Sequence, residues 1–245
     1  MKVAILGAAG RMGRMLCEMA SSQGCEIAAR VDVVPGFDAG FGPGAEGVID
    51  FSHHSAVPGA VAKAAELSVP YVLGTTGLSE DEQKCVDEAA AKIPVVQSGN
   101  YSLGVNVLLD LVRRAAEALG PGYDIEIAEM HHRHKKDAPS GTALMLARAA
   151  DVGGKAGFVY GRSGQTPGRP QGEIAIHALR GGGVIGDHTV VFAGERERVE
   201  LVHRAQSREA FAEGAFRALL WAKGRAPGLY SMRDVLGLSG KMEDR

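Results

Sequence analysis

The sequence predicts an α/β protein of two domains: an N-terminal, doubly wound parallel sheet and a C-terminal α+β domain with a mixed, largely antiparallel sheet. Three observations predict it. Short apolar runs alternate with helical patterns as far as Tyr101, a glycine loop joins the first run to the first helix, and after Gly104 this alternation gives way to one long helix and then successive strands.

Each element has its own signal. Val3-Ala4-Ile5-Leu6 is an apolar strand that stops at Gly7, and Met12, Met15, Leu16 and Met19 then recur at helical spacing. Ile27 to Val31 reads as the second strand, ending at Asp32, and the Gly- and Pro-rich stretch from Pro35 to Gly47 reads as a loop. Val48 to Phe51 leads through Ser52-His53-His54-Ser55 into an alanine-rich helix, Ala56 to Leu67. Tyr71-Val72-Leu73 runs into Gly74-Thr75-Thr76-Gly77, and Ser79 with Glu82 forms a capping box for a helix to about Lys92. Val95-Val96 ends at Ser98-Gly99-Asn100-Tyr101. The second domain opens with an amphipathic helix, Val105 to Leu119, and a strand of alternating character, Tyr123 to Glu129. A helix after Ser140, a loop from Gly161 to Gly172, and strands Glu173 to Leu179, Val184 to Phe192 and Arg198 to His203 follow. A final helix, Arg208 to Lys223, and a closing segment, Ser231 to Leu236, return to the first domain. The domains are therefore expected at 1–102, completed by 208–245, and at 103–207, with hinges near Ser102 to Gly104 and near Ser207.

Composition narrows the function. Across 245 residues, 27 Lys and Arg face 29 Asp and Glu, a balance that argues against a general nucleic-acid binder. No apolar run approaches the roughly 18 residues of a spanning helix, and the first strand breaks too soon for a signal-peptide core, so a cytoplasmic protein is expected. Cys17, Cys25 and Cys85 are odd in number and lack CxxC spacing, which supports neither a disulfide framework nor a zinc site.

The loop Gly7-Ala8-Ala9-Gly10-Arg11-Met12-Gly13 carries the first chemistry. A pyrophosphate sits on a helix N-terminus only if the backbone before it comes close, which favours glycine at Gly10 and Gly13. Ala8 stands where the commonest fingerprint has its first glycine, so the loop alone is a weak motif. Its position between strand and helix strengthens it, as does Asp32, 19 residues beyond Gly13, whose carboxylate suits the ribose hydroxyls of an adenosine. A turn with a strand-end Asp in a protein that binds no nucleotide is the competing reading. Gly74 to Gly77 and Ser98 to Tyr101 lie at the carboxyl ends of parallel strands, where open α/β sheets bind ligands, but such residues also serve as helix caps.

The stretch from Glu129 to Ala143, EMHHRHKKDAPSGTA, is the most informative. It concentrates positive charge before Pro139-Ser140-Gly141-Thr142, and Ser140 as N-cap leaves helix N–H groups free for an anion such as a substrate carboxylate. His131 can exchange protons near neutrality, and Lys135 among other cations can be poised as an acid. A metal site on His131, His132 and His134 is disfavoured because neighbours on an extended chain face opposite ways. A nucleic-acid patch would spread and include aromatics; a plain solvated charge run remains as the bland alternative.

These residues resemble the 4-hydroxy-tetrahydrodipicolinate reductase (dihydrodipicolinate reductase) family. The resemblance rests on the glycine loop, Gly74-Thr75-Thr76-Gly77, Asn100 to Asn106 and above all Glu129-x-His131-x-x-x-Lys135-x-Asp137-x-Pro139-Ser140-Gly141-Thr142-Ala143. It extends to Arg180 to His188 and to Gly228 to Leu236. It implies a Rossmann-like domain, NADH or NADPH as cofactor, a dicarboxylate substrate, and a homotetramer assembled through the C-terminal sheet. It implies nucleotide contacts at Gly7, Ala8, Ala9, Gly10, Arg11, Met12, Asp32, Gly74, Thr75, Thr76, Ser98, Gly99, Asn100 and Tyr101. His131 is implied as proton donor or acceptor, Lys135 as proton donor, and His132, Ser140, Gly141 and Thr142 as the dicarboxylate site, with no metal. Val33 follows Asp32 where members that grip a 2′-phosphate show a basic residue, so NADH is expected to be preferred. Two other readings are a different nicotinamide dehydrogenase, such as one acting on a semialdehyde, and a nucleotide-binding sensor. The first lacks a Cys nucleophile in a plausible loop, and the second has no use for His131 and Lys135.

Overall fold

A computed structural model describes residues 1–238 of the chain. It packs as two compact units, one running from Met1 to Leu103 and resuming at Glu209, the other spanning Gly104–Arg208.

In the first unit six strands form one parallel sheet. They are β1 (Lys2–Leu6), β2 (Glu26–Val31), β3 (Gly47–Asp50), β4 (Tyr71–Leu73), β5 (Pro94–Gln97) and, late in the chain, β11 (Gly228–Tyr230), in the spatial order β11-β5-β4-β3-β1-β2. Successive side chains of a strand face opposite ways, and β1 shows what that does. Val3 and Ile5 enter a core with Leu16 of helix α1 (Arg11–Met19) and Phe216 and Leu219 of α6 (Glu209–Ala222). Ala4 and Leu6 enter a second core with Val57 and Val61 of α2 (Val57–Glu66) and Val86 of α3 (Glu80–Ala90). Burial on both faces is why these strands are continuously apolar. The strand order reverses between β3 and β1, which opens a crevice at the carboxyl ends of the strands.

The expected capping box forms: Ser79 Oγ accepts from the Glu82 N–H at 3.3 Å, and Glu82 accepts from the Ser79 N–H at 2.7 Å. The closing segment contributes more than expected, because Gly228–Tyr230 adds strand β11 beside β5 before the short helix α7 (Met232–Val235).

The second unit holds α4, which starts at its boundary (Leu103–Leu119), then β6 (Asp124–His131), α5 (Gly141–Ala150), β7 (Gly157–Tyr160), β8 (Glu173–Arg180), β9 (Asp187–Ala193) and β10 (Arg198–Arg204). The sheet order is β10-β9-β6-β8-β7. The sheet is mixed, as expected, but evenly so: β10 with β9 and β9 with β6 are antiparallel, whereas β6 with β8 and β8 with β7 are parallel. The reason is that β6 lies between β8 and β9, and that α5 carries the chain from β6 to β7 by a parallel crossover. Strand β7, unforeseen, is a short edge strand beside β8. Leu108 and Val112 of α4, Leu146 and Ala147 of α5, and Ile127, Ile174, Val190 and Phe192 of the sheet make its core. Among the described residues no helix is long and apolar enough to cross a membrane.

Candidate active site

The first unit presents a groove of about 1190 Å³ lined by Leu6, Gly7, Ala9, Gly10, Asp32 and Asp38, among others. Its floor explains the glycines. Gly7 has φ +74, and a Cβ there would lie 2.3 Å from the Phe51 carbonyl oxygen. Gly13 serves a different purpose from close approach to a ligand: its Cβ would fall 2.1 Å from the Gly7 carbonyl oxygen, so glycine there lets α1 pack against the strand-end turn. Gly10 is the extended N-cap of α1. Its cap has no side-chain acceptor, which leaves the helix's leading N–H groups for an anion. Asp32 accepts from the Ala9 N–H at 2.9 Å, which ties the carboxylate after β2 to the glycine loop. A dinucleotide fits this cradle, since α1 starts at a glycine with no side-chain cap and Asp32 stands beside the loop.

The remaining nucleotide candidates separate into two groups. Gly7, Ala9, Gly10 and Asp32 line the groove; Arg11 is exposed at the first turn of α1. Ala8 is buried and Met12 packs against the same core. Gly74, Thr75 and Thr76 follow β4, and Ser98, Gly99 and Asn100 follow β5, so both loops sit on the carboxyl edge. Thr75 Oγ1 donates to Asp50 at 3.0 Å, and the Tyr71 hydroxyl donates to the same buried carboxylate. Ser98 Oγ donates to the Asn100 carbonyl at 2.7 Å. Tyr101 is buried, edge-on to Phe51, with its hydroxyl 2.9 Å from the Leu73 carbonyl and 2.8 Å from that of Val96. It stitches β4 to β5 beneath the loops.

In the second unit the basic segment is an ordered cluster. Ile127, Glu129 and His131 occupy alternate positions of β6 and are all buried, so the row that begins apolar ends in two ionisable groups. His131 Nδ1 lies 2.6 Å from Glu129 Oε2. Arg180 at the end of β8 reaches both carboxylate oxygens at 2.8 Å, and the Ser140 N–H donates to Oε1 at 3.0 Å. Burial pushes the Glu129 carboxyl up, yet Arg180, His131 and Ser140 together bring it below its usual range. Ser140 caps α5, its Oγ accepting from the Ala143 N–H at 3.2 Å, while Gly141 and Thr142 form the first turn. Ser140 Oγ also lies 3.2 Å from His188 Nε2. Burial, and then the neighbouring His131, push His188 down to about 3, so it is neutral near pH 7. Lys135 pairs with Asp137 at 2.8 Å, and His132 Nε2 lies 3.2 Å from Arg208.

Structure thus brings His131, Lys135, Ser140, Gly141 and Thr142 into one region and adds Arg180, Gly186 and His188 to it. A Cβ at Gly186 would come within 3.0 Å of His131 Nε2, so the glycine leaves that nitrogen room. The sequence shows Glu129 in the motif without a role, and its i, i+2 relation to His131 on a strand is the signal that pairs them. Among the described residues no cluster suited to a metal ion occurs.

Similarity to known proteins spans both units. The family model described as dihydrodipicolinate reductase, N-terminus, matches residues 1–43 and 36–101, and that described as dihydrodipicolinate reductase, C-terminus, matches residues 104–236. The chain is 48% identical to the 4-hydroxy-tetrahydrodipicolinate reductase of Rubrobacter xylanophilus, over 97% of this chain and 99% of that one. It is 54% identical to the enzyme of that name from Akkermansia muciniphila, over 78% and 79% of the respective chains. Among solved structures it is similar to a dipicolinate-bound dihydrodipicolinate reductase from Paenisporosarcina sp. TG-14, with TM-score 0.77 and 25% identity over 94% of this chain and 97% of that chain.

Proposed function

The chain belongs to the dihydrodipicolinate reductase family, and from that premise we propose how its residues carry out the family's reaction. It is an NAD(P)H-dependent oxidoreductase that converts 4-hydroxy-tetrahydrodipicolinate to tetrahydrodipicolinate in diaminopimelate and lysine biosynthesis. The nicotinamide, when bound, supplies the hydride. The ring hydroxyl leaves as water by taking up a proton while the adjacent ring carbon gives one up, and hydride addition is completed by a further proton, so the balance consumes one proton net and this chain must deliver two and accept one. The observation that carries the proposal is the placement of His131 and Lys135 beside an N-capped helix start that suits carboxylates.

His131 exchanges the proton at Nε2, because Nδ1 faces Glu129. Lys135, held by Asp137, is the second proton donor. His132 and the Gly141 and Thr142 backbone hold the substrate carboxylates, as suits a relative whose solved complex contains dipicolinate, itself a dicarboxylate. Residues 1–102 with the segment from 208 onward serve as the dinucleotide-binding domain, of which 239–245 lie outside the described residues, and 103–207 as the substrate-binding and oligomerisation domain. A coupled assay tests the reaction: the preceding synthase, fed pyruvate and aspartate semialdehyde, supplies substrate, and loss of NADH absorbance is expected only when synthase, both its substrates and this protein are present. Absence of that loss with either nucleotide overturns the proposal.

NADH is preferred over NADPH. Among the described groove residues the charged side chains are Asp32, Asp38 and Lys63, and Lys63 is paired with Glu66 at 2.8 Å. Arg30, two residues before Asp32, is exposed and absent from the lining. Two carboxylates therefore meet a 2′-phosphate with little compensation. The enzyme acts in the cytoplasm as a homotetramer. Support comes from Leu179 and Val202, which are exposed and, by strand alternation, lie on the sheet face turned away from α4 and α5. Light scattering should give four times the subunit mass.

A further inference from the structure

The cluster around Glu129 holds more than the two proton donors need. A carboxylate only 1% exposed takes hydrogen bonds from a guanidinium, a backbone N–H and an imidazole, and each comes from a different segment: β8, the turn before α5, and β6 itself. Taking a charge out of water is costly, and a side chain kept for packing alone would be met more cheaply by an apolar residue such as the Ile127 that precedes it on the same face. Glu129 is therefore placed for what it does to His131.

We propose that Glu129 is a positioning residue: it fixes the neutral His131 imidazole as the Nδ1–H tautomer, so that Nε2 is the nitrogen that exchanges the proton, while Arg180 keeps Glu129 ionised and aimed. The proposal rests on His131 serving as the proton-exchanging group. The geometry supports it from both ends of the ring. Nδ1 is 2.6 Å from the carboxylate, and Nε2 faces the gap that Gly186 leaves open. Arg180 also bonds the Asp137 carbonyl at 2.6 Å, so one guanidinium braces both the carboxylate and the loop that bears Lys135. Other groups facing His131 do not replace Glu129. His188 on β9 lies ring to ring at 5.2 Å and is neutral near pH 7, His203 on β10 lies behind it, and Asp137 is engaged by Lys135.

Glu129→Gln keeps the shape, and with its amide oxygen taken by the Ser140 N–H its NH2 falls at His131 Nδ1, which favours the other tautomer. The expected result is a fall in kcat of about 10²-fold or more with KM for the dicarboxylate near wild type. The pH profile should change as well, because an amide does not stabilise a protonated imidazole beside it as a carboxylate does. Glu129→Asp should recover part of kcat. A merely structural Glu129 would lower Tm and leave the pH profile in place. Should Glu129→Gln fail to fold, ¹⁵N-histidine NMR of the wild-type enzyme decides, with the His131 signal assigned by its loss in His131→Gln. Neutral His131 protonated at Nδ1 sustains the proposal; protonation at Nε2 overturns it, as does a Glu129→Gln enzyme with wild-type kcat and pH profile. An enzyme without reductase activity would instead strike the proposed reaction and leave the tautomer measurement standing.

Discussion

His131 and His132 are adjacent in sequence and differ in use because the strand sends them to opposite sides: His131 continues the buried row of β6, whereas His132 meets Arg208. Removing a proton donor and removing an anion contact should therefore give separable kinetics. His131→Gln and Lys135→Ala should each lower kcat by at least about 10²-fold while NADH affinity, read by fluorescence, stays near wild type. Thr142→Val should mainly raise KM. If both donors can be removed with kcat preserved, the basic segment is only an anion cradle. In the groove, Asp38 is the residue to change for cofactor choice. Its backbone N–H and one carboxylate oxygen are both tied to Arg30 at 2.7 Å, which holds it beside the Asp32 end of the site. Asp38→Asn combined with Val33→Arg should raise kcat/KM for NADPH relative to NADH by about tenfold or more, the equivalent of about 1.4 kcal/mol; an unchanged ratio would mean that Asp32 alone sets the preference. The positions of Asp32, His131 and Lys135 are legible because local spacing sets them. Arg180 and His188 reach the cluster only through the sheet register that sets His131 beside Arg180 and Glu129 beside His188, which one strand's sequence does not carry.

At the scale of elements, the first unit is legible because each step from strand to helix is local. Gly7 ends β1, Gly10 opens α1, and Ser79 with Glu82 opens α3. The second sheet is harder, since β8 and β9 follow one another with a glycine turn and look like a hairpin until β6 is found between them. Strands β7 and β11 are as short as β3 and β4 but lie at sheet edges and are only partly buried, so no continuous apolar run marks them. The junction of β1 and α1 makes a firm prediction. In Gly13→Ala the new methyl meets backbone, the Gly7 carbonyl oxygen at 2.1 Å and Ala8 Cα at 2.5 Å, so helix and strand must separate. Overpacking of this kind costs about 1–3 kcal/mol. The variant should lose thermal stability and bind NADH more weakly, because the same turn forms the proposed phosphate cradle. A wild-type Tm together with wild-type NADH affinity would show that the helix can move without disturbing the loop.

At the scale of the molecule, each unit has its own buried core, so conditions that act on one need not act on the other. His188 belongs to the second unit, and its folded pKa of about 3 lies below the ordinary 6.5. The sign follows from proton counting: between those values the unfolded chain binds a proton that the folded one does not. Stability is fully present above about 6.5 and is lost as pH falls toward 3, at up to about 1.4 kcal/mol per pH unit. His203, also lowered by burial, acts in the same direction, and the depressed carboxyl of Glu129 adds to the loss only at more acid pH. Cofactor acts on the first unit, where ligand at a hundred times Kd adds about 2.7 kcal/mol. Trp221, the single tryptophan, lies in α6 against Tyr230, so its fluorescence reports the first unit, whereas far-UV circular dichroism reports both. In urea titrations, lowering the pH from 7 to 5 should move the dichroism transition more than the Trp221 transition, and NAD⁺ should do the reverse. His188→Gln should remove most of the acid shift. Acid shifts that are equal for both probes and survive in His188→Gln would mean that the units unfold together and that His188 does not set the pH dependence.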